Sequence, residues 1–274
     1  MNNLLPYLQN IYIKYNDSVF IQSDPIYLTS NFKSLHDKEA VGFISALFSY
    51  GSVPQIQLVL EKMFSPFGNT FLNNLVKCSA LDLKEITSGL YYRFYRESDI
   101  VVLLKFLIMV YSKYDSLEDY FFQKRNTEKM DYHQVIFDSW NQFIEKVPKS
   151  NGLKFMMSNP SLGSANKRIL MFLRWMVRKD NIDLGIWKEI RPDQLLFPLD
   201  THTSRICYYL GLTNSETANL KNSQLITENL KNICREDPVK FDFAISRLGI
   251  LQECPKRKNI EKCYNCTLYN VCQR

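Results

Sequence analysis

The chain has 274 residues, of which 46% are hydrophobic and 14% aromatic, and this composition excludes a disordered protein. Its length suffices for one large domain or two small ones with a hydrophobic core. The formal net charge of +6 allows anionic partners without requiring them. The longest apolar stretch, residues 100–111, contains a lysine and is too short to span a bilayer, and the amino terminus has no basic leader. We therefore expect a cytoplasmic protein without a membrane partner.

Helical periodicity predicts an all-α protein. Apolar residues recur at a spacing of three and four residues, glycine is scarce, and no alternating run predicts a β-strand. Ser34 and Asp37 are placed to begin the first long helix, and Asp237 followed by Pro238 is placed to begin the last. The predicted helices cover residues 34–50, 56–64, 98–113, 130–147, 164–179, 201–210, 223–234 and 237–248.

The stretch PLDTHTSRICYYLGL, residues 198–212, contains an Asp-Thr-His sequence where a helix should begin. Asp200 fits the N-cap position, where its carboxylate accepts hydrogen bonds from free N–H groups of the first turn. Gly211 fits the position just after the helix. Capping accounts for Asp200 but leaves His202 and Arg205 unexplained.

The cysteines are unevenly distributed. Cys78, Cys207 and Cys234 are scattered and suit buried apolar positions. The other four lie within the last 21 residues in the pattern Cys-x8-Cys-x2-Cys-x5-Cys, and they are Cys254, Cys263, Cys266 and Cys272. Such crowding in a cytoplasmic chain indicates a metal site, for which a 4Fe–4S cluster and zinc are both suitable.

Two of these motifs resemble the helix-hairpin-helix (HhH-GPD) DNA glycosylase superfamily. The cysteine pattern is similar to the iron–sulfur cluster loop of its endonuclease III-type members, whose first gap is two residues shorter. Residues 199–202, with Arg205 and the Tyr-Leu-Gly-Leu of 209–212, resemble the Asp-Thr-His element of the superfamily. The resemblance extends from about residue 165 to 272, and KRILMFLRWMVR with PLDTH indicates a bacterial branch.

The resemblance implies two catalytic residues. Asp200 corresponds to the aspartate that assists departure of the damaged base and stabilises the cationic sugar. Lys167 corresponds to the lysine that attacks C1′ and forms a Schiff base in the bifunctional members. The hairpin departs from the usual pattern, because one glycine is missing and the lysine falls two positions later, so Lys167 could instead contact phosphate or solvent. The 33-residue spacing between Lys167 and Asp200 is similar to that of archaeal 8-oxoguanine glycosylases, which favours an oxidised purine as the substrate.

Basic residues around these motifs predict contacts with DNA phosphates, with a solvated basic helix face as the alternative. Residues 164–179 contain five cations and no carboxylate, and the cluster loop adds the run Lys256-Arg257-Lys258 shortly after its first cysteine. Tyr50, at the end of a predicted helix, could stack on a flipped base or simply pack. The predicted DNA-binding residues are Arg168, Arg174, Arg178, His202, Arg205, Lys256, Arg257 and Lys258.

Together these features predict two helical lobes with a central cleft, a helix-hairpin-helix element and a C-terminal 4Fe–4S cluster loop at 254–272. Residues 37–191 would form a helical barrel domain ending in the hairpin, and residues 1–36 with 192–274 the second lobe. The predicted function is base-excision repair by a monomeric, nucleoid-associated DNA glycosylase and AP lyase acting on double-stranded DNA with a damaged or abasic nucleotide. Two alternatives are a catalytically degenerate DNA-binding protein of the same fold and an iron–sulfur redox or metal-binding module.

Overall fold

A computed structural model describes residues 4–123 and 130–274 of the chain. Within these ranges most residues are helical and no β-strand forms, since the only β-type pairings are three isolated bridges. The all-α prediction is therefore confirmed at the level of fold class. None of the helices in these ranges is long and apolar enough to cross a membrane.

The described ranges contain fourteen α-helices, connected by turns and short 3-10 segments. The helices are α1 (Leu5–Tyr15), α2 (Leu35–Phe48), α3 (Val53–Phe64), α4 (Phe71–Leu75), α5 (Ala80–Ile86), α6 (Glu97–Tyr111), α7 (Leu117–Phe122), α8 (Tyr132–Ile144), α9 (Asn151–Met156), α10 (Lys167–Val177), α11 (Thr201–Tyr209), α12 (Leu220–Lys231), α13 (Asp242–Ile250) and α14 (Ile260–Tyr264). The 3-10 segments are Ser18–Ser23, Pro25–Asn31, Ser65–Phe67, Pro160–Leu162, Pro192–Gln194 and Tyr269–Val271.

Helix α2 begins where its capping residue predicts, and α13 does not. The Ser34 hydroxyl accepts a hydrogen bond from the backbone N–H of Asp37, which satisfies a free donor of the first turn. The predicted start of the last helix at Asp237 is wrong, because α13 begins at Asp242 after a series of turns. The Asp237 carboxylate instead accepts hydrogen bonds from Arg178 Nε. Asp237 therefore forms an ion pair with a residue distant in the sequence and does not cap a helix.

The chain divides into two compact units, each with a core of its own. The first unit comprises Met1–Phe20, Pro160–Gly185 and Ile190–Arg274, and the second comprises Ile21–Asn159 and Ile186–Glu189. Residues 160–185, predicted from the sequence as the end of the middle domain, lie in the first unit.

In the first unit, α13 packs against both α1 and α11. The ring of Tyr12 on α1 meets Phe241, just before α13, edge to face with centroids 6.2 Å apart. Lys14 Nζ lies 3.0 Å from the Glu253 carboxylate. The amino-terminal helix thus packs against the segment that leads into the predicted cluster loop.

In the second unit a buried carboxylate organises the core. Glu39 on α2 is 2% exposed and accepts hydrogen bonds from the Tyr111 hydroxyl, the Leu117 N–H at the start of α7 and the Trp187 indole N–H. Burial raises the pKa of Glu39, and these donors oppose that effect by stabilising the charged form. One side chain therefore connects three separate segments of the unit.

Candidate functional site

Lys167 and Asp200 lie side by side at the amino termini of two helices of the first unit. Lys167 is the first residue of α10, and Asp200 caps α11. Their Nζ and Oδ2 atoms are 3.6 Å apart, and the two side chains are 31% and 32% exposed. The structure therefore brings together the two predicted catalytic residues at a solvent-accessible position.

The two carboxylate oxygens of Asp200 have different partners. Oδ1 accepts hydrogen bonds of 2.9 Å from the backbone N–H groups of His202 and Thr203. The Thr203 hydroxyl in turn accepts a hydrogen bond from the Asp200 N–H, which completes a capping box. Oδ2 faces Lys167. Capping fixes the carboxylate in place and leaves one oxygen for the lysine.

A tight turn with two left-handed residues precedes Lys167. Gly163 has φ +80° and Asn166 has φ +45°, so the chain reverses direction immediately before α10. The turn is held by a hydrogen bond of 3.1 Å from the Leu220 N–H to the Gly163 carbonyl, and by an isolated bridge between Ser164 and Asn219. The start of α12 therefore fixes where α10, and with it Lys167, begins.

Electrostatics favour an ionised Asp200. Burial alone would raise the pKa of its carboxyl, but the charge of Lys167 and the Thr203 N–H outweigh burial and lower it. Asp242, the first residue of α13, is 3% exposed, and burial raises its pKa while the charges of Arg174 and Lys167 act against the rise. Asp242 therefore lies within electrostatic reach of the pair. Sequence reasoning missed this residue, for which a carboxylate within the predicted last helix was the available signal.

The structure corrects the prediction that Arg174 and Arg178 contact DNA. Both are buried, at 2% and 4% exposed. Arg174 Nε lies 3.2 Å from the Asp183 carboxylate, and its Nη1 pairs with Asp242. Arg178 pairs with Asp183 and, through Nε, with Asp237 at 2.9 Å. The guanidinium groups of Arg174 and Arg178 therefore form ion pairs in the core and do not belong to a DNA-binding surface.

Arg205 is likewise a structural residue. It is 6% exposed, and its Nη2 donates a hydrogen bond of 2.7 Å to the Cys254 carbonyl. It thereby attaches α11 to the beginning of the cysteine loop, so the prediction of a DNA contact is corrected here too. The predicted DNA-binding residues that do reach the surface are His202, Lys256, Arg257 and Lys258, with Arg168 half-buried.

The four C-terminal cysteines share one loop, and each is partly exposed. The Leu268 N–H donates to Cys266 Sγ at 3.4 Å. The pKa of Cys266 is raised chiefly by burial and further by the thiols of Cys254, Cys272 and Cys263, so these three side chains lie within electrostatic range of Cys266. Within residues 4–123 and 130–274, no three His, Cys, Asp or Glu side chains are arranged as a metal site. The donor set itself, four thiols with an N–H···S contact, suits a soft metal or an iron–sulfur cluster.

Tyr50 belongs to the second unit and is 46% exposed. Its ring lies 5.0 Å from that of Phe155, and the guanidinium carbon of Arg93 lies 5.5 Å from its centroid. Sequence reasoning missed Arg93 and its neighbour Phe94. The run YYRFY at residues 91–95, aromatic on both sides of a cation, was the available signal.

The sequence profile of a family described as protein of unknown function (DUF2400) matches residues 24–251. Since the match covers more than half of the chain, the protein belongs to this family. No curated protein and no solved structure matches the chain.

Proposed function

We propose that the protein is a DNA base-excision repair glycosylase with AP-lyase activity, acting on a damaged base of double-stranded DNA, with an oxidised purine favoured. The observation that carries the proposal is the 3.6 Å approach of Lys167 Nζ to Asp200 Oδ2 at the start of two helices. The sequence separates these residues by 33 positions, and the fold places them in contact range. A nucleophilic amine beside an ionised carboxylate is the pair that such chemistry needs.

Each residue has a defined task in the proposed reaction. As the bond from C1′ to the base breaks, the electron pair leaves with the base, and the negative charge of Asp200 stabilises the positive charge that develops on the sugar. The deprotonated Lys167 amine then forms a bond to C1′ and yields a Schiff base after the sugar ring opens. In the proposed step Lys167 gives its ammonium proton to the departing base, so that the amine can attack C1′ while Asp200 stays ionised, and the proton then lost by the attacking nitrogen goes to the ring oxygen as the sugar opens.

We further propose that Cys254, Cys263, Cys266 and Cys272 hold a 4Fe–4S cluster, with zinc as the alternative metal. Bound to four thiolates, a cluster would rigidify the loop and supply no chemistry to the sugar. The exposed cations Lys256, Arg257 and Lys258 would then contact DNA phosphates from this loop. Iron and acid-labile sulfide assays on anaerobically purified protein distinguish the cluster from zinc.

Borohydride trapping tests the proposed chemistry. The protein is incubated with duplexes containing 8-oxoguanine, thymine glycol or an abasic site and is then reduced, which makes a Schiff base permanent. Wild-type protein should form a covalent adduct, and Lys167→Ala should not. Lys179→Ala is the matched control, since this exposed lysine lies just after the other end of α10.

The remaining outcomes separate the alternatives. An adduct that persists in Lys167→Ala would assign the nucleophile to another lysine. Base release without an adduct would indicate a monofunctional glycosylase that depends on Asp200. If neither base release nor an adduct occurs on any duplex, the altered hairpin belongs to a DNA-binding protein or a metal-binding module without this chemistry.

A further inference from the structure

A cluster of solvent-exposed aromatic side chains lies on the second unit. Tyr50 and Phe94 are 46% and 51% exposed, and Phe155 is partly exposed. The ring centroids of Phe94 and Phe155 are 4.4 Å apart, and those of Tyr50 and Phe155 are 5.0 Å apart. Arg93 extends over the Tyr50 ring. We call Tyr50, Arg93, Phe94 and Phe155 the aromatic–arginine surface.

Buried contacts hold this surface in a fixed shape. The Tyr92 hydroxyl donates to the Tyr50 carbonyl at 2.7 Å, and the Tyr95 hydroxyl donates to the Leu47 carbonyl at 2.8 Å. Residues 92 and 95 also exchange two backbone hydrogen bonds, which close the turn that presents Arg93 and Phe94. Two buried tyrosines therefore fix the turn to the end of α2, and the residues between them face solvent.

The backbone around this surface adopts conformations that are energetically unfavourable for most residues. Arg93 has φ +56°, a left-handed conformation that an arginine rarely adopts. Gly51 has φ +126°, and a Cβ at that position would come within 2.8 Å of Arg93 Nη2 and the Tyr92 hydroxyl. A Cβ on Gly152 would collide with the Asp99 carboxylate and the Phe94 carbonyl, so this glycine permits the close approach of α9 that places Phe155 beside Phe94. Strain that persists around exposed side chains indicates a surface shaped for binding.

The charges around the surface favour a polyanion as its ligand. Arg93, Arg96 and Lys154 are all exposed. Two carboxylates of the adjoining helix α6 already accept hydrogen bonds, since the buried Asp99 accepts from the Arg96 N–H and the Ser150 hydroxyl, and Glu97 accepts from the Gly89 N–H. Flat π faces combined with a guanidinium plane and exposed cations are the features that bind unstacked nucleobases together with their phosphates.

We infer that the aromatic–arginine surface binds single-stranded nucleic acid by stacking unpaired bases on Phe94, Tyr50 and the Arg93 guanidinium. This inference does not rest on the chemistry of Lys167 and Asp200. It assigns the second unit a ligand of its own, namely a stretch of unpaired bases. An apolar protein partner would use the rings but would gain nothing from the cations.

Fluorescence anisotropy with two labelled strands tests the inference on the full-length protein. One strand is a run of about 12 thymidines, and the other has abasic spacers at every position, so that the two carry equal charge and only the first can stack. Wild-type protein should bind the thymidine strand at least roughly fivefold more tightly, because a single stacked base contributes about that much. Phe94→Ala should abolish this preference, and Phe94→Trp should retain it.

Controls separate stacking from charge and from loss of structure. Arg93→Lys keeps the charge and should weaken binding of the thymidine strand more than that of the spacer strand. Leu81→Ala, at a side chain 75% exposed in the same unit, should behave as wild type. Equal binding of both strands by the wild type, or an unchanged preference in Phe94→Ala, overturns the inference. So does self-association that Phe94→Ala removes while strand binding stays the same. Since Lys167→Ala leaves this surface intact, failure of the trapping experiment would not change these results.

Discussion

At the scale of single residues, mutation can separate the capping role of Asp200 from its proposed catalytic role. Asparagine caps a helix about as well as aspartate, so Asp200→Asn should change the free energy of unfolding by less than about 1 kcal/mol. Asp200→Ala loses the cap and should be less stable than Asp200→Asn by about 1 kcal/mol. If the proposed reaction takes place, both variants should lose at least about 100-fold in base release, because both lack the charge assigned to stabilise the cationic sugar. Urea denaturation combined with single-turnover assays checks this, and base release that follows stability instead of charge would contradict it.

Lys167 should control the ionisation of its neighbour. Because its charge lowers the pKa of Asp200, Lys167→Ala should raise that pKa. A carboxyl with a depressed pKa in the folded state stabilises the fold above its unfolded-state pKa, and this contribution is lost as the pH falls through the folded-state value. In Lys167→Ala this contribution should therefore be smaller, and its loss should be complete at a higher pH. A carbon-13 NMR titration of the Asp200 carboxyl measures the shift, and Lys179→Ala should leave the titration as in the wild type.

At the scale of elements, α10 is anchored by buried ion pairs of Arg174 and Arg178 with aspartates outside the helix. Asp183 pairs with both arginines, so Asp183→Asn should break two buried ion pairs at once and lower the free energy of unfolding by about 3 kcal/mol. Asp193→Asn is the matched control, because the Arg191–Asp193 pair is exposed and should contribute less than about 1 kcal/mol. Urea denaturation compares the two. Equal losses would mean that the buried pairs do not anchor the helix.

The start of α7 should make the second unit sensitive to pH. Burial raises the pKa of Glu118 to about 7, the nearby charge of Glu39 adds to the rise, and the N–H groups of Lys188 and Glu189 reduce it. The unfolded chain loses this proton near pH 4.3, so the contribution of Glu118 to stability should fall as the pH rises from there to about 7. Glu118→Gln should flatten the dependence. Thermal unfolding across that range is the measurement, with Glu85→Gln, at an exposed carboxylate of the same unit, as the control.

At the scale of the whole molecule, the sequence predicted features that depend on neighbouring residues. The caps at Ser34 and Asp200 follow from hydrogen bonds within one helical turn, and the structure confirms both. The role of Arg174 could not be predicted, since its carboxylate partners lie 9 and 68 residues away. A stripe of cations on a predicted helix has the same pattern whether it faces solvent or distant aspartates.

The candidate site was predictable only where the sequence contains a recognisable motif. The resemblance named Lys167 and Asp200, and the structure places them together. Asp242 and the turn at residues 92–95 depend on packing between segments that no local pattern specifies. The metal site at the four cysteines stays a prediction that the metal assays test. The sequence does not specify how the four sulfurs are arranged, because a bound cluster would set that arrangement.

The division of the chain into segments has a consequence for biosynthesis. The second unit ends at residue 189, so it can fold before the ribosome has released the rest of the first unit. The first unit cannot fold this early, because Lys14 on α1 pairs with Glu253, which is synthesised 239 residues later. At roughly 5–20 residues per second, the amino-terminal helix waits about 10 to 50 s for that partner. Throughout this interval its apolar face is uncovered and open to chaperones, and the nascent chain carries a folded second unit before Lys167 and Asp200 have met.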